Sequence, residues 1–292
     1  MSRWVTAMMV DDFLHDPVLG AKVIFGLEIP PHMELRLLAM WRKTYMIDSS
    51  GYGTAKTMTI AIVAALRAIL LENHTAGIIS KTGAQGKVIF RYFDDWYETC
   101  PIFRNEIKGI VHSSDAWELS ARNSSNIRMI PPNFLQDAER AASESWTSGY
   151  FDEWTRYGNY AALDKVLVGR VRKPVAPGYD ADDPIYGQHW YFFGTAQRKS
   201  NPAYKKVQGF AEQIARGRHE YELQSWNFTH IPDKFSRLRG DKSRELLMSS
   251  LGPDDVRSEI MGEWVDENVG GWYTPQDVAR TRTEECRVIL EA

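Results

Sequence analysis

Several features that would narrow the class of this protein are missing from its sequence. Only two cysteines occur, Cys100 and Cys286, and neither lies in a CxxC pair or at a metal-ligand spacing. This usage excludes a disulfide framework and is typical of a reduced cytosolic protein. The opening segment, MSRWVTAMMVDDFLHDP, carries acids where a signal peptide needs its apolar stretch, so we expect no secretion.

Long apolar runs and repeats are missing as well. The longest apolar run, residues 58–71, is interrupted by Arg67 and is too short to span a bilayer, so we predict no membrane role. No internal repeat or low-complexity tract occurs. The fractions of 43% hydrophobic and 25% charged residues are ordinary for a globular protein, and 292 residues suffice for one large domain with or without a smaller companion.

Charge is distributed unevenly along the chain. The net charge of −3 argues against a protein that coats nucleic acid over its whole surface. Residues 165–244, however, contain 15 lysines and arginines against 8 acids, which gives this segment a charge of +7. One basic face that meets a polyanion is one interpretation, and ordinary solvated helix charges are the other.

Strand-like and helix-like segments alternate along most of the chain. Short apolar or aromatic runs bounded by turn formers predict strands at residues 44–48, 75–80, 148–152, 189–194 and 221–226. Helical patterns separate the first four of them, at residues 57–71, 84–98 and 159–170. This alternation predicts an α/β fold with a largely parallel sheet. Two short strands are predicted within residues 116–131, and two or three helices after residue 231.

The segment SSGYGTAKT, residues 49–57, follows the first predicted strand and precedes a helix. Lysine and threonine behind a glycine-rich turn are typical of a phosphate-binding loop, in which backbone N–H groups and a helix N-terminus surround the phosphates. Lys56 is then expected to reach the β and γ phosphates, and Thr57 to ligate Mg²⁺. Ala55 replaces the usual glycine, and the site survives if this residue has a negative φ, since alanine is excluded chiefly from left-handed conformations. The predicted ATP-binding residues are Ser50, Gly51, Tyr52, Gly53, Thr54, Ala55, Lys56 and Thr57.

Two further strand ends carry residues suited to phosphate chemistry. Asp152 and Glu153 end the strand-like run SGYFDEW. An aspartate at this position can hold Mg²⁺, and the adjacent glutamate can act as a general base on water; taken alone, the two are also compatible with an ordinary strand-to-loop pair. In WYFFGTAQ, Thr195 and Gln197 fit the role of a polar sensor of the γ phosphate.

These three motifs, in this order and spacing, resemble the ATPase half of the large terminase subunit of tailed bacteriophages. Residues 13–41, 77–93 and 260–273 are similar to flanking segments of that family, so the resemblance covers nearly the whole chain. It implies a P-loop NTPase of the additional-strand class (ASCE), with a mostly parallel sheet flanked by helices. It also implies an ATPase core at residues 1–230, led by residues 1–43, a small helical lid subdomain at residues 231–270, and a linker at residues 271–292.

The resemblance further implies an ATP-hydrolysing motor that translocates double-stranded DNA into the procapsid, with ATP and Mg²⁺ as cofactors. The implied partners are the portal protein, the small terminase subunit and other copies of the chain in a ring, expected to be a pentamer, with a monomer in isolation left open. The implied location is the host cell cytoplasm, and the protein is not expected to be a permanent virion component. The nuclease domain of such subunits is expected to follow the linker, so no nuclease activity is expected in this chain.

Individual roles follow from the resemblance position by position. Residues 50–57 correspond to Walker A, and Asp152 and Glu153 to the metal-shell carboxylate and catalytic base of Walker B. The coupling motif corresponds to Gly194, Thr195 and Ala196. In this family, one subunit often supplies an arginine to the site of its neighbour. Arg140 is the first candidate for this arginine, the trans-acting arginine finger. The second candidates are Arg170 and Arg172.

The sequence departs from the family pattern at three positions. Tyr52 replaces a common arginine, Ala55 replaces the loop glycine, and Met33 occupies the place of the glutamine that recognises adenine. These departures favour an alternative, a nucleotide-binding assembly module with little intrinsic turnover. Asp152 and Glu153 oppose it, because a site without hydrolysis needs no base. A helicase-like ATPase shares the same loop chemistry and would be distinguished by strand separation.

Overall fold

One eight-stranded sheet organises the chain. The structure, a computed structural model, describes residues 3–113, 117–130, 145–157, 160, 163, 180, 183–235 and 241–266. The strands are β1 (Tyr45–Asp48), β2 (Thr75–Ser80), β3 (Ile107–His112), β4 (Trp117–Ala121), β5 (Asn126–Ile130), β6 (Ser148–Asp152), β7 (His189–Phe193) and β8 (Tyr221–Gln224).

Helices precede, separate and follow the strands. They are α1 (Arg3–His15), α2 (Pro17–Phe25), α3 (Pro31–Arg42), α4 (Lys56–Leu70), α5 (Gly83–Thr99), α6 (Pro101–Glu106), α7 (Pro202–Ala215), α8 (Asp241–Ser249) and α9 (Pro253–Asp255). A π-helical turn, Val256–Ile260, continues α9, and 3₁₀ turns lie at Trp154–Arg156 and Phe228–His230. None of the helices in the described part of the chain combines the length and apolarity needed to cross a membrane.

The strand order is β3-β4-β5-β2-β6-β7-β1-β8. All pairs from β5 to β8 are parallel, whereas β3, β4 and β5 pair antiparallel. Strand β7 lies between β1 and β6, and this is the additional strand of the predicted P-loop class. The carboxyl ends of β1, β6 and β7 therefore meet at one edge of the sheet, where α/β proteins bind ligands.

Most predicted elements are confirmed, with ends shifted by no more than two residues. The hairpin predicted within residues 116–131 forms β4 and β5 and extends the sheet at its edge. Strand β3 was not predicted, because its sequence, IKGIVH, lacks a regular alternation of buried and exposed residues. The helix predicted at residues 159–170 falls mainly outside the described residues. Helices α8 and α9 lie where the lid was predicted, and its boundaries stay a prediction.

The sheet is buried on both faces. In the central strands, neighbouring residues point to opposite sides: Met46 and Tyr191 join the core under α1–α6, whereas Ile47 and Phe192 join the core under α7. Helix α4 is almost wholly enclosed, and residues 60–66 are fully buried apolar side chains. Each large side chain buried in this way contributes about 1.5–3 kcal/mol. This packing fixes the N-terminus of α4 at the edge where the loop begins.

Candidate nucleotide-binding site

The predicted motifs come together at the carboxyl edge of the sheet. Asp48, Phe193, Asp152 and Ser80 lie in one row across β1, β7, β6 and β2. The loop of residues 49–55 leaves this row and ends at α4, while the Gly194 N–H group donates to the Asp48 carbonyl at 3.0 Å. Parallel pairing therefore brings together the residues that were predicted as Walker A, Walker B and the coupling motif.

Ala55 has a left-handed backbone conformation, which glycine adopts without steric cost. Its φ is 61° and its ψ is 28°, so the condition of a negative φ, set from the sequence, is not met. The left-handed conformation costs alanine about 1–2 kcal/mol relative to the right-handed one. The loop nevertheless keeps its shape, because the buried helix α4 begins at the next residue and fixes the direction of the chain. Gly53, with φ 76°, supplies the other left-handed residue of the loop.

The turn into α4 presents a set of hydrogen-bond donors. Among the residues that the structure describes, the backbone N–H groups of residues 53–57 have no acceptor. They lie at the N-terminus of a 15-residue helix, where the helix dipole favours an anion. The Lys56 ammonium is buried in the loop and donates to the carbonyls of Ser50 at 2.7 Å and Gly51 at 2.9 Å. Burial lowers the pKa of Lys56. Donors of this kind fit the phosphates of a nucleotide.

A buried ion pair and its hydrogen bonds hold the loop in position. The guanidinium of Arg36, on α3, donates to Asp48 at 2.6 Å, to the Thr54 carbonyl at 2.6 Å and to the Ser50 hydroxyl at 3.2 Å. Asp48 also accepts from the Ser50 N–H group at 3.0 Å. Both charged side chains are fully buried, so removing one partner would cost about 3–5 kcal/mol. Sequence reasoning missed Arg36, because nothing in its helix marks it as buried.

Thr57 and Asp152 are the side chains suited to Mg²⁺. The Thr57 hydroxyl lies 3.4 Å from Asp152 Oδ2, and Asp152 is only 2% exposed. Its other oxygen, Oδ1, is buried without a hydrogen-bond partner among the described residues. Burial, together with the charge of Glu153, raises the pKa of Asp152 to about 7. Mg²⁺ is usually held by one or two such oxygens together with substrate phosphates, so this pair fits the ion.

Glu153 follows directly in a left-handed conformation, with φ 54°. Its Oε2 atom is buried and makes no hydrogen bond within the described residues, and the Arg156 Nε lies 3.5 Å from it. Such backbone strain at a non-glycine residue is frequent at functional sites. The next turn holds the end of β7, since the Thr155 hydroxyl donates to the Thr195 carbonyl at 2.8 Å. Gly194 is required there, because an added Cβ would lie 2.9 Å from Thr155 Oγ1.

Comparisons with known proteins agree with this arrangement at the level of the fold. Neither a protein-family model nor a curated protein sequence matches the chain. Among solved structures, the large terminase of a thermophilic bacteriophage matches with a TM-score of 0.60 and 12% identity, over 82% of this chain and 54% of that one. The large terminase of bacteriophage HK97 matches with a TM-score of 0.60 and 10% identity, over 82% and 51%.

The chain has the fold of phage large terminases. A third match is the thermophilic phage terminase in complex with ADP, with a TM-score of 0.55 and 11% identity, over 82% of this chain and 54% of that one. The chain spans about half of the length of these neighbours. The predicted fold class, the P-loop NTPase fold with a mostly parallel sheet flanked by helices, is thereby confirmed.

The positions that depart from the large-terminase pattern differ in their surroundings. Tyr52 is 57% exposed on the loop, whereas Met33, on α3, is buried in the core and only 3% exposed. Beside Met33, burial and the charge of Arg36 lower the pKa of His32 to about 4. The three candidate finger residues, Arg140, Arg170 and Arg172, lie outside the described residues.

Proposed function

We propose that this chain is the ATP-hydrolysing motor domain of a viral large terminase, which translocates double-stranded DNA into the procapsid. The observation that carries the proposal is the approach of Thr57 to Asp152 at 3.4 Å, beside N–H groups at the start of α4 that have no acceptor in the described part of the chain. Two residues that are 95 apart in sequence meet where a phosphate-bound Mg²⁺ would lie. The large-terminase fold supports the same role, as does the ADP found with the terminase of the thermophilic phage.

Each residue of the site has a proposed part in hydrolysis. The N–H groups of residues 53–57 bind phosphate oxygens, and Lys56 exchanges the loop carbonyls for the β and γ phosphates. Thr57 and Asp152 would hold Mg²⁺, and the ion would supply positive charge to neutralise those phosphates. Glu153 orients the attacking water and accepts its proton. Thr195 senses the γ phosphate. It is linked to the turn that follows Glu153, because the Thr155 hydroxyl in that turn donates to the Thr195 carbonyl.

Further parts of the proposal concern partners. Arg140 completes the site of a neighbouring copy in a ring, with Arg170 and Arg172 as second candidates. The ring, proposed as a pentamer, works with the portal protein and the small terminase subunit in the host cell cytoplasm. Exposed basic residues such as Lys205 on α7 and Arg216 just after it support contact with the phosphates of DNA.

A second candidate is a nucleotide-binding assembly module with little turnover. The strained Ala55 favours it, because a loop that costs free energy to form binds phosphate less well. The placement of Glu153 beside Asp152 favours the motor, because binding alone requires no general base. Turnover of bound nucleotide distinguishes the two candidates.

Steady-state ATP hydrolysis with Mg²⁺ tests the proposal. Lys56→Ala is expected to abolish hydrolysis, and Glu153→Gln to lower kcat by about 10²–10⁴ while nucleotide binding is retained. Glu98→Gln, on the exposed face of α5, is the matched control and should leave kcat unchanged. If Glu153→Gln turned over as fast as the wild type, Glu153 would not be the base. If the wild type bound nucleotide without turnover, the assembly module would replace the motor.

A further inference from the structure

Residues 253–266, the end of the last described segment, lie directly on the predicted phosphate-binding loop, and we name them the clasp. It contains α9 and the π-helical turn, a form of helix that is frequent at functional sites. The Tyr52 N–H group donates to the Glu259 carbonyl at 2.6 Å. A Cβ added to Gly51 would lie 2.0 Å from the Ile260 carbonyl oxygen, and one added to Gly262 would lie 2.8 Å from that of Ser49. The two backbones touch, with no space for a side chain between them.

The clasp also reaches the segment after β7. The Val265 N–H group donates to the Gln197 carbonyl at 3.2 Å, and the Lys199 N–H group donates to the Val265 carbonyl at 2.8 Å. Residues 198 and 265 form a short parallel bridge. One segment therefore contacts both the phosphate-binding loop and the chain that follows the proposed sensor, Thr195.

A shared arginine extends this contact to the proposed catalytic base. Arg156 lies in the turn after Glu153, and its Nη2 is 3.1 Å from Oε1 of Glu259 in the clasp. Its Nε is 3.5 Å from Oε2 of Glu153. That second distance exceeds the 2.7–2.9 Å of a charge-assisted hydrogen bond. Glu259 thus holds the guanidinium close to Glu153 without a hydrogen bond to it, and Oε2 keeps its lone pairs.

We infer that Arg156 is a positioning residue for Glu153 and that Glu259 sets the position of Arg156, so that docking of the clasp is linked to placement of the base. The inference rests on the proposed function for the role of Glu153. The Arg156 and Glu259 side chains are 37% and 42% exposed, and exposed ion pairs add little stability. The Arg156–Glu259 pair therefore serves to place the Glu153 carboxylate and not to stabilise the fold.

Hydrogen exchange in the nucleotide-free protein tests whether the pair fastens the clasp. Arg156→Gln and Glu259→Gln should each raise the exchange rate of the amides in residues 49–52 by about two- to fivefold, the range expected for an exposed ion pair. The matched control is Glu263→Gln, because Glu263 pairs with Arg257 at 2.9 Å in the same segment and is 48% exposed. Unchanged exchange in the first two variants, or an equal rise in the control, would overturn the inference.

ATP turnover tests whether the pair positions the base. Arg156→Gln should lower kcat by about tenfold with KM for ATP unchanged, because small displacements of a reacting group cost up to 10²-fold. Glu259→Gln should lower kcat less, and the double variant should be no slower than Arg156→Gln, because Glu259 acts only through Arg156.

Two turnover results would contradict the inference: losses that multiply in the double variant, or wild-type kcat in Arg156→Gln. An inactive wild type would instead refute the motor, and hydrogen exchange would still decide whether Arg156 and Glu259 join the clasp to the turn of Glu153.

Discussion

A left-handed backbone at residue 55 forces alanine into a conformation that glycine adopts without steric cost. Helix α4 makes this tolerable, since its buried residues, among them Ile60 and Leu66, fix where the helix begins and how the chain enters it. One left-handed alanine costs about 1–2 kcal/mol, and the free energy gained by packing a whole helix is larger than that. The packing of α4 thus helps to maintain the shape of the loop at Ala55.

Restoring glycine at this position should stabilise the protein. Ala55→Gly removes the steric cost and adds some chain entropy to the unfolded state, so the free energy of unfolding should rise by about 0.5–1 kcal/mol. Urea denaturation measures this change. Ala61→Gly, inside α4, is the control and should lower the free energy of unfolding by about 1 kcal/mol or more. A loss of stability in Ala55→Gly would mean that alanine is not strained there.

Two buried aspartates at the site illustrate a division of roles between residues. Asp48 accepts hydrogen bonds from Arg36 and Ser50, so its charge is matched within the fold. Asp152 has one oxygen without a partner among the described residues, and its pKa is raised to about 7 by burial and by Glu153. The first holds the loop in place, and the second retains capacity for a cation.

At the scale of elements, the loop and the clasp form one packed unit. Gly51 donates its N–H group to the Trp226 carbonyl at 2.7 Å, and Tyr52 donates to the Glu259 carbonyl at 2.6 Å. The segment just after β8 also contacts the clasp, because the Ser225 hydroxyl donates to the Gly262 carbonyl at 3.0 Å. Movement of the clasp therefore requires the first half of the loop to change partners.

A methyl group at Gly51 should separate these elements. Gly51→Ala would place Cβ 2.0 Å from the Ile260 carbonyl oxygen, a backbone atom that cannot rotate away. The free energy of unfolding should fall by about 1–3 kcal/mol, as for other overpacked sites, and amide exchange in residues 256–262 should rise. Gly83→Ala is the control, because nothing lies within 4 Å of its added Cβ. Equal stability of the two variants would show that the loop and the clasp are not in contact.

At the scale of the whole molecule, the proposed ring makes each site depend on two copies of the chain. A site needs Glu153 from its own subunit and, in the proposal, Arg140 from a neighbour. An arginine supplied in this way is worth about 10³–10⁵ in rate in other phosphoryl-transfer enzymes. Activity should therefore depend on how copies are combined as well as on each sequence.

Mixing two inactive variants tests this dependence. Arg140→Ala and Glu153→Gln should each be nearly inactive, and an equimolar mixture should recover about a quarter of wild-type hydrolysis, because that share of interfaces joins an intact base to an intact arginine. Arg170→Ala and Arg172→Ala, mixed in the same way, identify the finger if Arg140 is not it. A mixture no more active than its parts would exclude an arginine acting from a neighbour.

The sequence by itself determined the local elements and the order of the motifs. Strand β6 ends at Asp152 and helix α4 starts at Lys56 because the alternation of apolar residues and turn formers is a property of short segments. The candidate phosphate-binding residues could be predicted for the same reason, since their spacing is local.

Only the tertiary structure decided the contacts between distant segments. The insertion of β7 between β1 and β6, the ion pair of Arg36 with Asp48, and the hydrogen bond from Tyr52 to Glu259 join residues that no local pattern relates. The left-handed φ of Ala55 belongs with them, because its cost is offset by packing elsewhere in the molecule. The backbone preference of alanine is a property of one residue, whereas the packing free energy that outweighs it comes from many residues.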